Sequence, residues 1–259
     1  MSPSGQAGQR GTCESQSRAL GSGQVLLCAV KSSGPKLVPF LATLCVYFVL
    51  WIPISNTSWF SALIKSLPVL SLGVFVLAHR PSRGHLPSYS HRILLGLLFS
   101  ATGDAFLIWG DHGFFIHGMA AFGVAHLAYI SAFGFWPLRP SLGLVFLAIG
   151  AGAYLVIYPC LTGSFIYTIG GYVLVLGVMA WRGTARALGA GYARWWLRLA
   201  AVGAWFFMVS DLILAVDRFC FPLAYSRSAI MSTYYVAQLF IALSVVGRSE
   251  GDLLWKRKH

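Results

Sequence analysis

The chain has 259 residues, of which 57% are hydrophobic and only 10% are charged. Because soluble domains carry about 25% charged residues, this composition excludes a soluble globular protein and indicates an integral membrane protein. The net charge of +12 would suit a nucleic-acid-binding protein, but the positions of the basic residues, described below, argue against that class.

Eight apolar stretches follow one another along the chain, and each has about the 20 residues that a bilayer-spanning helix requires. The connections between them are short, so no soluble domain fits between two spans. We therefore predict an all-α, polytopic membrane protein whose membrane domain of eight transmembrane helices covers residues 37–247. The predicted spans are Leu37–Ile54, Trp59–Ala78, Ile93–Trp109, Phe114–Trp136, Leu142–Pro159, Phe165–Trp181, Leu199–Val216 and Ala229–Val246.

The two ends of the chain differ from the membrane domain. Residues 1–36 are rich in Gly, Ser and Gln and lack hydrophobic periodicity, which predicts a disordered N-tail. The apolar run Val25–Val30 is too short for the core of a signal peptide, so the first membrane helix is expected to act as the targeting signal. Residues 248–259 form a basic C-tail.

Lysine and arginine are distributed unevenly between the two ends of the predicted helices. Sixteen fall in the tails and in the loops on one side, two (Arg218 and Arg227) fall on the other side, and Lys65 lies within a span. The positive-inside rule therefore places both tails in the cytosol. The basic excess is explained by this topology, and no nucleic-acid partner is expected.

The five cysteines show no CxxC or metal-ligand spacing. Cys160 and Cys220 fall in two loops that are both predicted on the non-cytosolic side. A disulfide between them is one alternative in an oxidising lumen. We favour the other alternative, two free thiols at the membrane edge.

Known catalytic and metal motifs are absent from the sequence. Asp111, His112 and His117 cluster at the turn between the third and fourth spans, but the HxxxxH spacing is a weak metal signal and a wet loop is the better interpretation. HExxH, GxSxG, Walker and GxGxxG motifs are missing. We therefore expect no bound metal, and neither serine-lipase nor metalloprotease chemistry.

Asp104 and Asp211 each lie inside a helix-length apolar stretch. A carboxylate at membrane depth is unfavourable, so it usually faces the bundle interior or a wet cavity and marks function. Two carboxylates that lie close together in a low-dielectric site do not both ionise easily, which gives an acid beside a base. We favour catalysis, with ion or proton transport and a purely structural hydrogen-bonded network as the alternatives.

The two aspartates occupy equivalent places in two halves of four helices. The segment SATGDAFL around Asp104 resembles FMVSDLIL around Asp211, and a Val-Ala-X-Leu frame holds His126 in one half and Gln238 in the other. Four helices per half give both halves the same orientation, as in parallel repeats. Counting from the hairpin turns places Asp104 level with His126 and Asp211 level with Gln238, roughly 10–20 Å below the non-cytosolic helix ends.

Two tyrosines extend these polar faces. Tyr129 follows His126 by three residues and Tyr234 precedes Gln238 by four, and both spacings keep the pairs on one helical face. We expect these four side chains to position the substrate and the aspartates. Packing in an aromatic core is the alternative for either tyrosine.

Lys65 and Ser210 complete the set of candidate site residues. Lys65 lies in the second span, where it could attract a lipid phosphate or snorkel to the interface. Ser210 precedes Asp211, and we expect its hydroxyl to hydrogen-bond that carboxylate. We assign the proton donor to Asp104 and the water-orienting carboxylate to Asp211.

From about Lys36 to Val246 the chain resembles the lysoplasmalogenase (YhhN-like) family of membrane proteins, and most closely the A-type group of its vertebrate members. The resemblance is specific because several segments occur in order with the same eight-helix layout. These segments are Lys65–Pro68 (KSLP), Ser100–Leu107 (SATGDAFL), His117–Tyr129 (HGMAAFGVAHLAY), Phe207–Ala215 (FMVSDLILA) and Met231–Leu239 (MSTYYVAQL).

The resemblance implies hydrolysis of the sn-1 vinyl-ether bond of lysoplasmalogens to a fatty aldehyde and glycerophosphocholine or glycerophosphoethanolamine. It also implies an endoplasmic reticulum membrane, a lysophospholipid and water as substrates, and no metal or organic cofactor; the assembly would be a monomer or a homodimer. Protonation of a vinyl ether gives an oxocarbenium ion, so an acid and a carboxylate suit the reaction as they suit glycosidases. The rival functions are a transporter or proton-coupled carrier and a lipid-binding scaffold without activity.

Overall fold

The computed structural model describes residues 22–51, 57–79, 88–189 and 195–256, and within these ranges it contains helices and turns but no strand. Eight α-helices cover the predicted spans, which confirms the all-α prediction. They are α1 Ser22–Val46, α2 Trp59–Ala78, α3 Ser88–Ile108, α4 Phe115–Phe133, α5 Pro140–Ile157, α6 Phe165–Leu188, α7 Trp195–Ala215 and α8 Ser226–Lys256. Short π-helical segments continue α1 over Tyr47–Trp51 and α7 over Val216–Cys220.

Helices α2 to α8 are each long and apolar enough to cross a membrane, whereas the apolar part of α1, Gly34–Val49, is shorter. Large apolar side chains such as Leu144, Leu155 and Val156 of α5 are exposed. Lipid tails are as apolar as these side chains, so a membrane helix loses nothing by presenting them outwards. The protein is therefore a multi-pass membrane protein.

The terminal helices extend beyond the predicted spans. α1 begins at Ser22, so residues 22–36 are helical and the predicted disorder of this part of the N-tail is wrong. α8 likewise continues to Lys256, into the predicted C-tail. Hydropathy marks only the part of a helix that lies in lipid, and a polar extension outside the membrane gives no such signal. Residues 1–21 and 257–259 lie outside the described residues.

Close approach of helices within and between the two halves sets the positions of the site residues. Gly103 of α3 faces Phe122 of α4, and a Cβ atom built at Gly103 would lie 2.7 Å from that ring. In the second half, a Cβ atom at Gly203 of α7 would lie 2.8 Å from the carbonyl oxygen of Ala237 on α8. Between the halves, α4 packs against α6 and α8 packs against α2. The fourth helix of each half therefore contacts the second helix of the other half.

Cys160 and Cys220 form a disulfide, with their Cα atoms 5.0 Å apart, so the favoured prediction of two free thiols is wrong. Cys160 ends the 3₁₀ turn after α5, and Cys220 ends the π-helical segment after α7. A disulfide requires Cα atoms about 4.4–6.8 Å apart. The sequence predicted that both loops lie on one side, but it held no information on the distance between them.

Arginine side chains donate hydrogen bonds to backbone carbonyl oxygens at the C-terminal end of α4 and just beyond it. Arg182, which was assigned to a loop from the sequence, lies in α6, is fully buried, and donates to the carbonyl oxygens of Gly134 at 2.8 Å and Pro137 at 2.9 Å. Arg186 donates to the carbonyl oxygen of Phe133. The last carbonyls of a helix lack partners within the helix, and cations at this end are favourable.

Candidate active site

Asp104 of α3 belongs to a buried ion pair. The residue is 1% exposed, and its Oδ1 lies 3.6 Å from the Nζ of Lys65 on α2. Its Oδ2 accepts a hydrogen bond from the hydroxyl of Tyr234 on α8 at 2.7 Å. The hydroxyl of Tyr235 donates to the backbone carbonyl of Lys65 at 2.8 Å. Both oxygens of the Asp104 carboxylate are therefore engaged by protein groups from two neighbouring helices.

Asp211 of α7 belongs to a second network. Its Oδ2 accepts a hydrogen bond from the hydroxyl of Tyr172 on α6 at 2.7 Å. The Nε2 atom of His126 on α4 lies 2.9 Å from the tyrosine oxygen and 3.6 Å from the carboxylate oxygen. Because Tyr172 gives its hydrogen to the carboxylate, Nε2 of His126 carries the hydrogen that the tyrosine oxygen accepts. The Nδ1 atom is buried without a hydrogen-bond partner among the described residues.

Each of the two networks joins residues from both halves of the bundle. Each aspartate takes one partner from the second helix of its own half and one from the fourth helix of the other half. The sequence placed Asp104 level with His126 and Asp211 level with Gln238, but the contacts join other residues: Asp104 meets Tyr234, and His126 lies near Asp211. Counting from a hairpin turn gives depth but no direction around the helix axis, and the fourth helices cross to the other half.

Gln238 and Tyr129 form a separate contact. The hydroxyl of Tyr129 donates to Oε1 of Gln238 at 2.7 Å and links α4 to α8. Ser210 also differs from the prediction, because its hydroxyl donates to the carbonyl oxygen of Ile230 at 3.1 Å and not to Asp211. These three residues hold helices together within the core of the bundle.

Tyr172 is the site residue that the sequence analysis missed. It lies among apolar residues of α6 and carries no motif. Its one signal is positional, since it stands near the start of the second helix of its half, as Lys65 does in the first half. A comparison of the second helices of the two halves would therefore have suggested Tyr172 as the counterpart of Lys65.

Two phenylalanines separate the networks. The ring of Phe207 lies 4.7 Å from the ring of His126 and 5.4 Å from that of Tyr234, measured between centroids. The ring of Phe122 lies 5.8 Å from that of Tyr234. Aromatic rings thus lie between the ion pair of Asp104 and the Asp211 network.

A cavity of about 200 Å³ lies beside Asp211, mainly among α4, α5, α6 and α7. Asp211 and Tyr172 are the ionisable residues in its wall, which is otherwise almost entirely apolar. The side chain of Asp211 is 14% exposed, against 2% for Asp104, which does not line this cavity. An apolar cavity with a few placed polar groups is typical of a ligand site.

The cavity opens sideways between α5 and α7. Trp205, Val209 and Leu212 of α7 and Ile149 of α5 all line it, and all four are exposed on the outer surface of the bundle. In a membrane this surface faces lipid. An apolar chain can therefore pass from the bilayer into the cavity and reach the carboxyl group of Asp211.

The turn between α3 and α4 lies against the segment that follows α7. His117 packs against the rings of Phe106 and Phe114, and Asp111 pairs with Arg218. Within the described residues, no group of three or more metal-ligating side chains comes together.

The sequence matches the YhhN family over residues 60–245. It is 53% identical over 224 residues to lysoplasmalogenase TMEM86A of Homo sapiens, an alignment that covers 85% of this chain and 92% of that protein. It is 43% identical over 211 residues to lysoplasmalogenase TMEM86B of Homo sapiens, covering 81% and 86%. The predicted greater similarity to the A-type group is confirmed. No solved structure matches the chain at a significant level.

Proposed function

This chain belongs to the YhhN family, and we propose that it is a lysoplasmalogenase, because relatives 53% and 43% identical to it carry that name. The reaction is hydrolysis of the sn-1 vinyl-ether bond of lysoplasmalogens to a fatty aldehyde and glycerophosphocholine or glycerophosphoethanolamine. The single structural observation that carries the proposal is the carboxyl group of Asp211 in the wall of an apolar cavity that opens towards lipid.

The first chemical step in this proposal is proton transfer to carbon. In the reacting form that we propose, Asp211 carries a proton on Oδ1, the oxygen that does not accept from Tyr172. It gives this proton to the vinyl carbon that does not bear oxygen, and the double-bond electrons form the new C–H bond. The adjacent carbon and the ether oxygen then share the positive charge of an oxocarbenium ion. The Asp211 carboxylate left behind lies next to this cation and stabilises it, as carboxylates do in glycosidases.

Water completes the reaction through the same carboxylate. It adds to the oxocarbenium carbon while Asp211 takes its proton, which gives a hemiacetal. Asp211 then protonates the glycerol oxygen, the C–O bond breaks, and the hemiacetal hydroxyl returns its proton as the aldehyde forms. The hydrogen bond from Tyr172 holds the carboxylate in place at each stage. This sequence needs neither a nucleophilic serine nor a covalent intermediate.

Asp104 has a different role in this proposal from the one that the sequence suggested. Both of its oxygens are engaged, by Lys65 and Tyr234, and it lies outside the wall of the cavity. We assign it a positioning role, because it fixes Tyr234, whose ring packs on Phe122 and Phe207. The two aspartates thus contribute unequally, with Asp211 as the residue that touches the substrate.

The proposed setting is the endoplasmic reticulum membrane with both termini in the cytosol. The charge asymmetry of the loops supports this orientation. The disulfide between Cys160 and Cys220 supports it as well, because disulfides persist in oxidising compartments and both cysteines lie on the predicted lumenal side.

The test compares an alkenyl with an alkyl lysophospholipid. Purified protein in detergent should release fatty aldehyde from the alkenyl lipid only, because a saturated ether has no double bond to protonate. Sealed proteoliposomes separate this function from transport. Movement of lysolipid across the bilayer without aldehyde release would contradict the proposal and favour a carrier.

A further inference from the structure

We infer that Arg218 binds the phosphate group of the lysolipid at the non-cytosolic end of the cavity and so fixes how the substrate lies across Asp211. This inference rests on the proposed function and names the headgroup contact of the same site. It assigns a ligand to a basic residue that the reaction steps above do not use.

Arg218 stands at the rim of the cavity. It lies in the π-helical segment after α7, next to Phe219, and its guanidinium lies 5.4 Å from the ring centroid of Phe115. Phe115 and Phe219 both line the cavity. The side chain of Arg218 is 39% exposed, so a group that emerges from this end of the cavity meets the guanidinium.

The spacing between Asp211 and Arg218 matches the substrate. Arg218 follows Asp211 by seven residues, which is roughly 10 Å along the helix axis. The π-helical segment Val216–Cys220 places Arg218 next to Phe219, which lines the cavity as Asp211 does. In a lysoplasmalogen, seven bonds of about 1.5 Å each join the protonated vinyl carbon to the phosphorus atom, and the zigzag of an extended chain gives them an end-to-end span of roughly 9 Å. A substrate with its vinyl ether at Asp211 therefore places its phosphate beside Arg218.

The other end of the cavity suits the hydrocarbon chain. Beyond Asp211, towards the cytosolic end, the wall is formed by apolar residues such as Met208 and Trp205 of α7 and Leu176 of α6. Asp211 thus lies between an inner apolar part and an outer part that ends at Arg218. The vinyl-ether bond occupies the equivalent place in the lipid, between the chain and the glycerophosphate.

The chemistry of Arg218 fits a phosphodiester. A guanidinium offers five N–H donors in a planar fork that matches two phosphate oxygens, and in the described structure one of its nitrogens donates to Asp111. The side chain of Asp111 is 76% exposed, and water screens such surface pairs. A phosphate therefore competes effectively for the guanidinium. Lys65, the other candidate for this role, is occupied by Asp104.

The test uses two substrates that share the vinyl ether but differ in the phosphate: a choline lysoplasmalogen and a 1-alkenylglycerol, in mixed micelles of fixed composition. For Arg218→Gln we expect KM for the lysoplasmalogen to rise about tenfold or more, as for loss of a charge-assisted contact, with kcat little changed. Hydrolysis of the alkenylglycerol should stay unchanged. Equal losses on both substrates, or no loss on either, would overturn the inference.

Two further variants separate phosphate binding from a structural ion pair. Asp111→Asn breaks the pair but keeps the guanidinium, so KM for the lysoplasmalogen should stay the same or fall; a rise equal to that of Arg218→Gln would overturn the inference. Arg218→Lys keeps the charge, and its KM for the lysoplasmalogen should lie between those of the wild type and Arg218→Gln. If Arg218→Gln fails to fold, Arg218→Lys takes its place, and its KM for the lysoplasmalogen should exceed that of the wild type. If Arg218→Gln abolishes inhibition by inorganic phosphate but leaves KM for the lysoplasmalogen unchanged, the site binds free phosphate and the inference is overturned. If the wild type releases aldehyde from neither substrate, the proposed function itself fails.

Discussion

The ion pair between Lys65 and Asp104 gives the most informative stability prediction. Asp104→Asn removes the negative charge and leaves the buried ammonium of Lys65 without its counterion. Breaking one partner of a buried pair typically destabilises a protein by about 3–5 kcal/mol. For a chain of this size, each kcal/mol corresponds to roughly 2–4 °C in Tm, so we expect Tm to fall by about 10 °C.

A double variant tests the physical reason for that loss. Lys65→Met combined with Asp104→Asn removes both charges and keeps the side-chain volumes, so most of the lost stability should return. The assay is thermal unfolding of the purified protein in detergent, followed by tryptophan fluorescence. If Asp104→Asn unfolds at the wild-type temperature, the ion pair does not contribute to stability in the way that its burial indicates.

Turnover of the same double variant separates the two roles considered for Asp104. A positioning residue acts through Tyr234, whose hydroxyl can also donate to an asparagine side-chain oxygen. The folded double variant should therefore retain turnover within about tenfold of wild type, well short of the 10²-fold or greater loss typical of a removed general acid. A loss of that larger size in a stable double variant would refute the positioning role and restore Asp104 as the proton donor.

Three other predictions follow from single contacts. Tyr172→Phe should lower kcat about tenfold while Tm stays near normal, because it removes the hydroxyl that holds the reactive carboxylate; kcat and Tm are measured on one preparation. Replacing Cys160 and Cys220 by serine should lower the unfolding free energy by about 4 kcal/mol because the bond closes a long loop, and reductant should shift wild-type Tm in the same direction; an unchanged Tm would contradict this. Gly203→Ala should lower the free energy of unfolding by about 1–3 kcal/mol, because the added methyl meets the Ala237 carbonyl oxygen. An unfolding free energy equal to that of the wild type would contradict this, because it would mean that α7 and α8 move apart at no cost.

Much of the fold could be predicted because membrane insertion imposes a local rule on the chain. Each span must be apolar over about 20 residues, so hydropathy alone locates the helices, and a charged residue such as Asp104 or Asp211 is conspicuous. The helix ends outside lipid obey no such rule. That is why the start of α1 at Ser22 was missed.

The partners within the site depend on contacts between distant segments, which hydropathy does not encode. Residue counting placed the polar side chains at a shared depth, but it could not show which face of α4 meets α6. His126 therefore lies near Asp211 and not near Asp104. The disulfide depends in the same way on the proximity of two loops that are far apart in sequence. Tyr172 was missed because an isolated tyrosine in a membrane helix is usually a packing residue.

The most direct test of the central claim, that Asp211 performs the proton transfer, compares two Asp→Asn variants on the same segment of chain. Asp211→Asn removes the only carboxyl group in the described wall of the cavity. Asp217→Asn is the matched control, because its side-chain oxygen still accepts the hydrogen bond from the backbone N–H of Leu223. Aldehyde release from an alkenyl lysolipid is measured for both, with Tm as the check on folding. We predict that Asp211→Asn loses at least about 10²-fold in kcat with a near-normal Tm, while Asp217→Asn keeps its turnover. Near-native turnover of a folded Asp211→Asn variant would contradict the account.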